Sequence, residues 1–175
     1  METTKNPLTY EQRQFFSTVA PYIGLPFYYF GSIQRSDYIP GISDIDVDIF
    51  SPQPEKIARR LAYMLQGPYV SLKRVWWKME DPFGGDPTEI KGYKVKYKRP
   101  VIEGATREQL KVEFSIYDEN VKHLVLKKHR EQMFVSPYVS TLLLFMKWAF
   151  RKNWIYHAVK KQLLSRNDIF VSLPY

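Results

Sequence analysis

At 175 residues and 20.8 kDa the chain is long enough for one well-buried core and too short for two comfortable domains. A hydrophobic fraction of 45%, with Phe 11, Trp 4 and Tyr 13, excludes a disordered polymer, and the absence of cysteine excludes disulfides, thiolate zinc sites and thiol nucleophiles. No apolar run approaches the ~18 residues that span a bilayer and none follows the charges of residues 1–5, so the expectation is a soluble intracellular protein, cytoplasmic or nuclear, whose net charge of +8 biases it toward polyanions.

Thr9, with Gln12 three residues on, predicts a capping box that opens a helix through Phe15, Phe16 and Val19 and ends near Pro21 and Gly24. Phe27 to Phe30 reads as a short buried strand, closed by Gly31-Ser32 and followed by a loop containing Pro40 and Gly41. Ile42 to Phe50 then alternates apolar and acidic residues at period two, the mark of a half-buried strand. Pro54, Glu55, the apolar positions Ile57, Leu61 and Leu65, and Gly67 outline an amphipathic helix. Three strand-like runs follow, Tyr69 to Met79, Tyr93 to Val101 and Leu110 to Tyr117, with residues 80–89 as a hairpin loop between the first two. Asp118 caps a helix with Val121, Leu124 and Val125, and Ser136-Pro137 opens another, so the last forty residues read as helical. Leu142 to Phe150 is apolar around most of its circumference and reads as a buried core helix. Strands early and helices late imply an α/β (α+β) fold with a helical C-terminal lobe, divided as 1–118 and 119–175 within one compact unit.

The strand at 42–50 carries the most chemistry. Side chains two apart share a face, so Asp44, Asp46 and Asp48 point one way and Ile45, Val47 and Ile49 the other, with neighbouring carboxylates about 6.8 Å apart. Such a face suits divalent cations, and a two-metal phosphoryl-transfer site uses carboxylates to bridge ions about 3.5–4 Å apart. A calcium loop counted from Asp44 fails, because its sixth position must turn sharply at glycine and is Ile49 here. Gly31-Ser32, just after a strand, allows close approach of backbone amides to an anion and adds a hydroxyl, while Arg35 adds a bidentate phosphate clamp.

Together, Phe30-Gly31-Ser32, a gap spanning residues 33–43, and Asp44-Ile45-Asp46-Val47 resemble the signature of the DNA polymerase β-type nucleotidyltransferase superfamily. The resemblance implies a mixed-sheet, palm-like domain flanked by helices. It assigns phosphate binding to Gly31 and Ser32, with Arg35 matching an arginine that many members carry, and magnesium binding to Asp44 and Asp46. A third carboxylate is expected on a later, adjacent strand, and Val112-Glu113-Phe114 supplies it, with Glu where Asp is commoner; Asp118 is explained as a cap. Asp48 falls outside the shared pattern and reads as an outer support or face residue.

The implied reaction is attack of an acceptor hydroxyl on the α-phosphate of a nucleoside triphosphate (ATP among them), with Mg2+, or Mn2+ in its place, as cofactor. The acceptor divides three readings: a compact family-X-like template-dependent polymerase, an adenylyltransferase acting on protein or small molecules, and a binding module without activity. Nucleic acid is a candidate partner through the basic, aromatic stretches Lys73 to Lys78 and Lys91 to Arg99, although the alternation of Lys94, Lys96 and Lys98 with Val95 and Tyr97 equally describes a solvated face over a packed one. His123, His129 and His157 lack the spacing of a zinc site or triad and read as surface or packing residues, and Lys127-Lys128 and Lys160-Lys161 read as solvated faces. Oligomeric state is left open.

Overall fold

The structure is a computed structural model, and it describes residues 4–79, 86–99, 109–133 and 137–149. The elements run α1 (Tyr10–Ile23), β1 (Tyr28–Phe30), a 3-10 turn (Gly31–Gln34), β2 (Ile45–Phe50), α2 (Pro54–Leu65), β3 (Val70–Met79), β4 (Thr88–Arg99), β5 (Leu110–Tyr117), a 3-10 turn (Glu119–Val121), α3 (Lys122–Met133) and α4 (Pro137–Ala149). The expected hairpin loop and the expected last helical stretch fall partly, at 80–85 and 150–175, outside the described residues, as do His157 and Lys160-Lys161. Among the described residues no helix is long and apolar enough to cross a membrane.

Five strands form one mixed sheet in the order β1-β2-β5-β4-β3, with β2 and β5 parallel and every other pair antiparallel. This is the α+β sheet with flanking helices that the strand and helix patterns predict. One face carries Ile45, Val47 and Ile49 of β2, Val112, Phe114 and Ile116 of β5 and Val95 of β4, packed with Phe16, Val19 and Ile23 of α1 and Ala58 and Leu61 of α2. The opposite face is apolar at one end only, where Phe50, Trp77, Ile90 and Tyr117 meet Val125 of α3. Its other end holds the charged residues.

Local chemistry explains the boundaries. Thr9 and Gln12 complete the capping box, each side chain taking the other's backbone N–H. The helix passes through Pro21 and stops three residues later at Gly24, whose φ of 71° is left-handed. Thr88 starts β4 earlier than Tyr93, so Gly92, a breaker by composition, lies inside the strand. A side chain there would come within 2.6 Å of both the Ile116 carbonyl and the Tyr117 ring, so glycine is what lets Tyr117 lie over β4. α4 departs from the buried helix its composition suggests: Leu143 is buried, while Leu142, Leu144 and Phe145 are exposed.

Candidate active site

The acidic face of β2 runs from solvent into the protein. Asp44, one residue before the strand, is 59% exposed; Asp46 is half-buried; Asp48 is fully buried. The gradient follows α3, which covers the Asp48 end. There His129 Nδ1 lies 2.7 Å from Asp48 Oδ2, and the imidazole stacks on Phe30 with centroids 4.0 Å apart. Asp48 therefore supports the helix contact, and His129 is a partner that its spacing in the chain does not reveal. Lys128, expected on a solvated face, is instead buried beneath the sheet's edge with its ammonium 5.0 Å from the centre of the Trp77 ring, whereas Lys127 is exposed as expected.

Parallel pairing of β2 with β5 sets Asp46 directly opposite Glu113, and antiparallel pairing with β1 sets it opposite Phe30. Gly31 follows with φ of 73°, and any side chain built on it would run into the Asp46 carboxylate. The glycine of this turn is thus seated against one acid, and the second acid is that acid's cross-strand neighbour. Ser32, in the same 3-10 turn, is 7% exposed.

Cations offset this concentration of negative charge. Two carboxylates about 5 Å apart repel by about 3 kcal/mol at an effective dielectric of about 20. Glu113 is paired with Lys94 and with Lys96 Nζ at 2.6 Å, both from β4, and Asp44 Oδ1 lies 3.6 Å from Lys111 Nζ. Burial pushes the Glu113 pKa up, and the two lysines overcome that and hold it below the ordinary carboxylate value. Lys96 is the mirror case: burial lowers its pKa, and Glu113, with Asp44 and Asp46 further off, raises it on balance.

The loop between the turn and β2 is pinned from several sides. Arg35, 6% exposed, closes bidentately on the buried Asp37, with Nε to Oδ1 at 2.8 Å and Nη2 to Oδ2 at 3.2 Å. That guanidinium is therefore engaged in shaping the loop. Asn6 Nδ2 donates to the carbonyls of Ile33 (2.9 Å) and Arg35 (2.7 Å), Tyr38 donates to Gln12 Oε1 (3.1 Å), and the Ile39 N–H donates to Ser43 Oγ (3.0 Å). Asn6, Asp37 and Tyr38 have no motif around them, and only the contact map of the fold identifies them.

The donor set suits a hard cation, since Asp44, Asp46 and Glu113 offer only carboxylate oxygens. In the conformation seen, Glu113 is turned to its lysines and Asp44 to Lys111, and among the described residues no three acidic or imidazole groups converge as a finished metal site. The basic and aromatic residues of the β3–β4 hairpin divide between its faces. Lys73, Lys94, Lys96 and Lys98 share the face of Asp46, while Arg74 and Trp76 are on the other and Trp77 is buried.

A family model described as nucleotidyltransferase domain matches residues 11–136, from α1 past the end of α3. No match is found among curated proteins or among solved structures.

Proposed function

The chain belongs to the nucleotidyltransferase domain family, and from that premise we propose that it transfers a nucleoside monophosphate from an NTP or dNTP to an acceptor hydroxyl, using Asp44, Asp46 and Glu113 as the metal-binding carboxylates. The observation that carries the reading is the seating of Gly31 against Asp46, directly across from Glu113. A glycine turn and two acids from neighbouring strands therefore lie together, the combination that this reading needs.

In the proposed reaction the acceptor oxygen forms a bond to the α-phosphorus, the bond from that phosphorus to its bridging oxygen breaks, and pyrophosphate leaves. The turn at Gly31 and Ser32 orients the triphosphate, because a glycine backbone admits phosphate oxygens closely and the serine hydroxyl donates to them. Arg35 acts on the triphosphate through the loop it shapes with Asp37. Asp44, Asp46 and Glu113 would hold Mg2+, or Mn2+ in its place, and Glu113 would exchange Lys94 and Lys96 for it. A metal held there supplies positive charge against the phosphates and lowers the pKa of the acceptor hydroxyl. The lysines keep Glu113 ionised, the form in which a carboxylate ligates.

The test is release of pyrophosphate from each NTP and dNTP with Mg2+ or Mn2+ present, offered with a primer-template, a protein mixture or small hydroxyl compounds as acceptors. Wild type should turn over, and Asp46→Asn should lose more than the ~100-fold that removal of a ligand's outer support produces. Wild-type turnover in folded Asp46→Asn would sink the assignment, and absence of turnover by the wild type with every acceptor would leave a binding module.

A further inference from the structure

On the assigned site face, the rows of cross-strand neighbours continue outward from the acids. Asp46 is followed by Glu113, Lys96 and Ser71 across β2, β5, β4 and β3; the next row inward runs Asp48, Ser115, Lys94 and Lys73; and toward the open end Lys111 faces Lys98. Five lysines from three strands thus border the carboxylate pair on one side. Lys73 and Lys98 are exposed, and among the described residues neither meets a carboxylate.

Two of these contacts are unfavourable for the fold. Lys73 lies directly opposite Lys94, and Lys98 directly opposite Lys111, and like charges in directly opposed positions destabilise a sheet. Lys94 and Lys111 each have an acid nearby, Glu113 and Asp44, but among the described residues Lys73 and Lys98 add only repulsion. A polar face needs no such arrangement to remain solvated, since alternating charges would do it more stably. Positions that cost stability beside a reaction centre are expected where a ligand supplies the missing opposite charge.

We propose that the acceptor is the end of a nucleic-acid strand, whose phosphodiester backbone lies on Lys73, Lys94, Lys96, Lys98 and Lys111 and whose hydroxyl reaches Asp46 and Glu113. The chemistry is backbone recognition: lysines about 6.8 Å apart along β4 meet successive phosphates as point charges. No base-reading group is involved, because the hairpin's Arg74 and Trp76 belong to the opposite face. This identity of the acceptor rests on the nucleotidyl-transfer reading, but the surface it invokes can be measured without NTP or metal.

The experiment measures anisotropy of fluorescent single-stranded DNA and RNA oligonucleotides with the full chain, without metal or NTP, across a salt series. Wild type should bind, with affinity falling linearly on a log–log salt plot. The double variant Lys73→Ala/Lys98→Ala should bind at least ~10-fold more weakly, with a salt slope smaller by about 1.4, the value for two lost single-strand contacts. Lys56→Ala, an exposed lysine of α2, should change affinity less than 2-fold and serves as the control. The double variant should also unfold at the same or a higher urea concentration, because it loses the repulsions. No binding by the wild type, unchanged binding by the double variant, or equal displacement by poly-glutamate would overturn the proposal, the last by marking a surface for acidic protein. Oligonucleotide binding without transfer to any acceptor would overturn the transfer reading and with it the acceptor role, while loss of binding alone leaves the transfer reading intact. Preference for the DNA or the RNA arm names the strand.

Discussion

Gly31 and Tyr29 flank one residue of β1 and show how differently two positions constrain the site. Gly31→Ala would require an L residue at φ of 73° and would drive a methyl group into the Asp46 carboxylate. The backbone strain alone costs about 1–2 kcal/mol, and displacement of Asp46 should reduce transfer by at least ~10-fold; Gly24→Ala, at a similar φ of 71° with open space around it, should lose comparable stability and keep activity. Chemical unfolding and turnover of the two variants separate strain from site damage, and equal activity loss in both would contradict the role of Gly31. Among the described residues the buried Tyr29 hydroxyl has no hydrogen-bond partner, and burial pushes its pKa up from 10.0 to about 12. Below pH 10 the tyrosine is protonated in both folded and unfolded chains; between pH 10 and about 12 the unfolded chain ionises first, so stability falls as pH rises. Tyr29→Phe should therefore gain about 1 kcal/mol more at pH 11 than at pH 7 in urea unfolding, and an equal effect at both pH values would refute the shift. The residues legible in the sequence, Gly31, Ser32, Asp44 and Asp46, lie in one short stretch where turn chemistry and alternation coincide. Asn6, Asp37 and His129 acquire their roles from partners brought near by the fold, and no local pattern marks them.

At the scale of elements, strands and helices with strong periodicity or caps are readable and their interruptions are not. The Thr9–Gln12 box locates the start of α1, and Thr9→Ala should cost about 1 kcal/mol, measured by urea denaturation; no loss would show that α1 is held by packing alone. β5 matches its expected span of Leu110–Tyr117, whereas β4 begins at Thr88, ahead of the expected Tyr93, and runs through Gly92, which the Tyr117 ring requires to be glycine. The docking of α3 depends on His129 with Asp48 and on Lys128 over Trp77, pairings between residues far apart in the sequence. His129→Ala should destabilise by about 1–3 kcal/mol, as loss of a buried polar contact does, and should weaken the support of Phe30 behind Gly31. A fall in the urea midpoint of less than about 0.5 kcal/mol equivalent would show that α3 is held by Val125 and its apolar neighbours instead.

For the whole molecule, the sheet order decides the function more than any single strand. Inserting β5 between β2 and β4 brings Glu113 beside Asp46 and sets Lys96 on its other side, an adjacency that the order of strands along the chain does not reveal. The apolar-acid-apolar pattern around Glu113 pointed to the residue but could not show that lysines hold it. One face of the sheet thus changes along its length from an apolar end under α3, through the acids, to an open basic border. In the proposed function Asp46 and Glu113 act together as metal-binding carboxylates beside the Gly31 turn. This joint role is tested most directly by single-turnover transfer of labelled α-phosphate by wild type, Asp46→Asn and Glu113→Gln at matched metal concentration, with folding checked by circular dichroism. Both variants should fold and each should lose more than ~100-fold in rate; a folded Glu113→Gln variant that transfers at the wild-type rate would refute the shared role of the two acids.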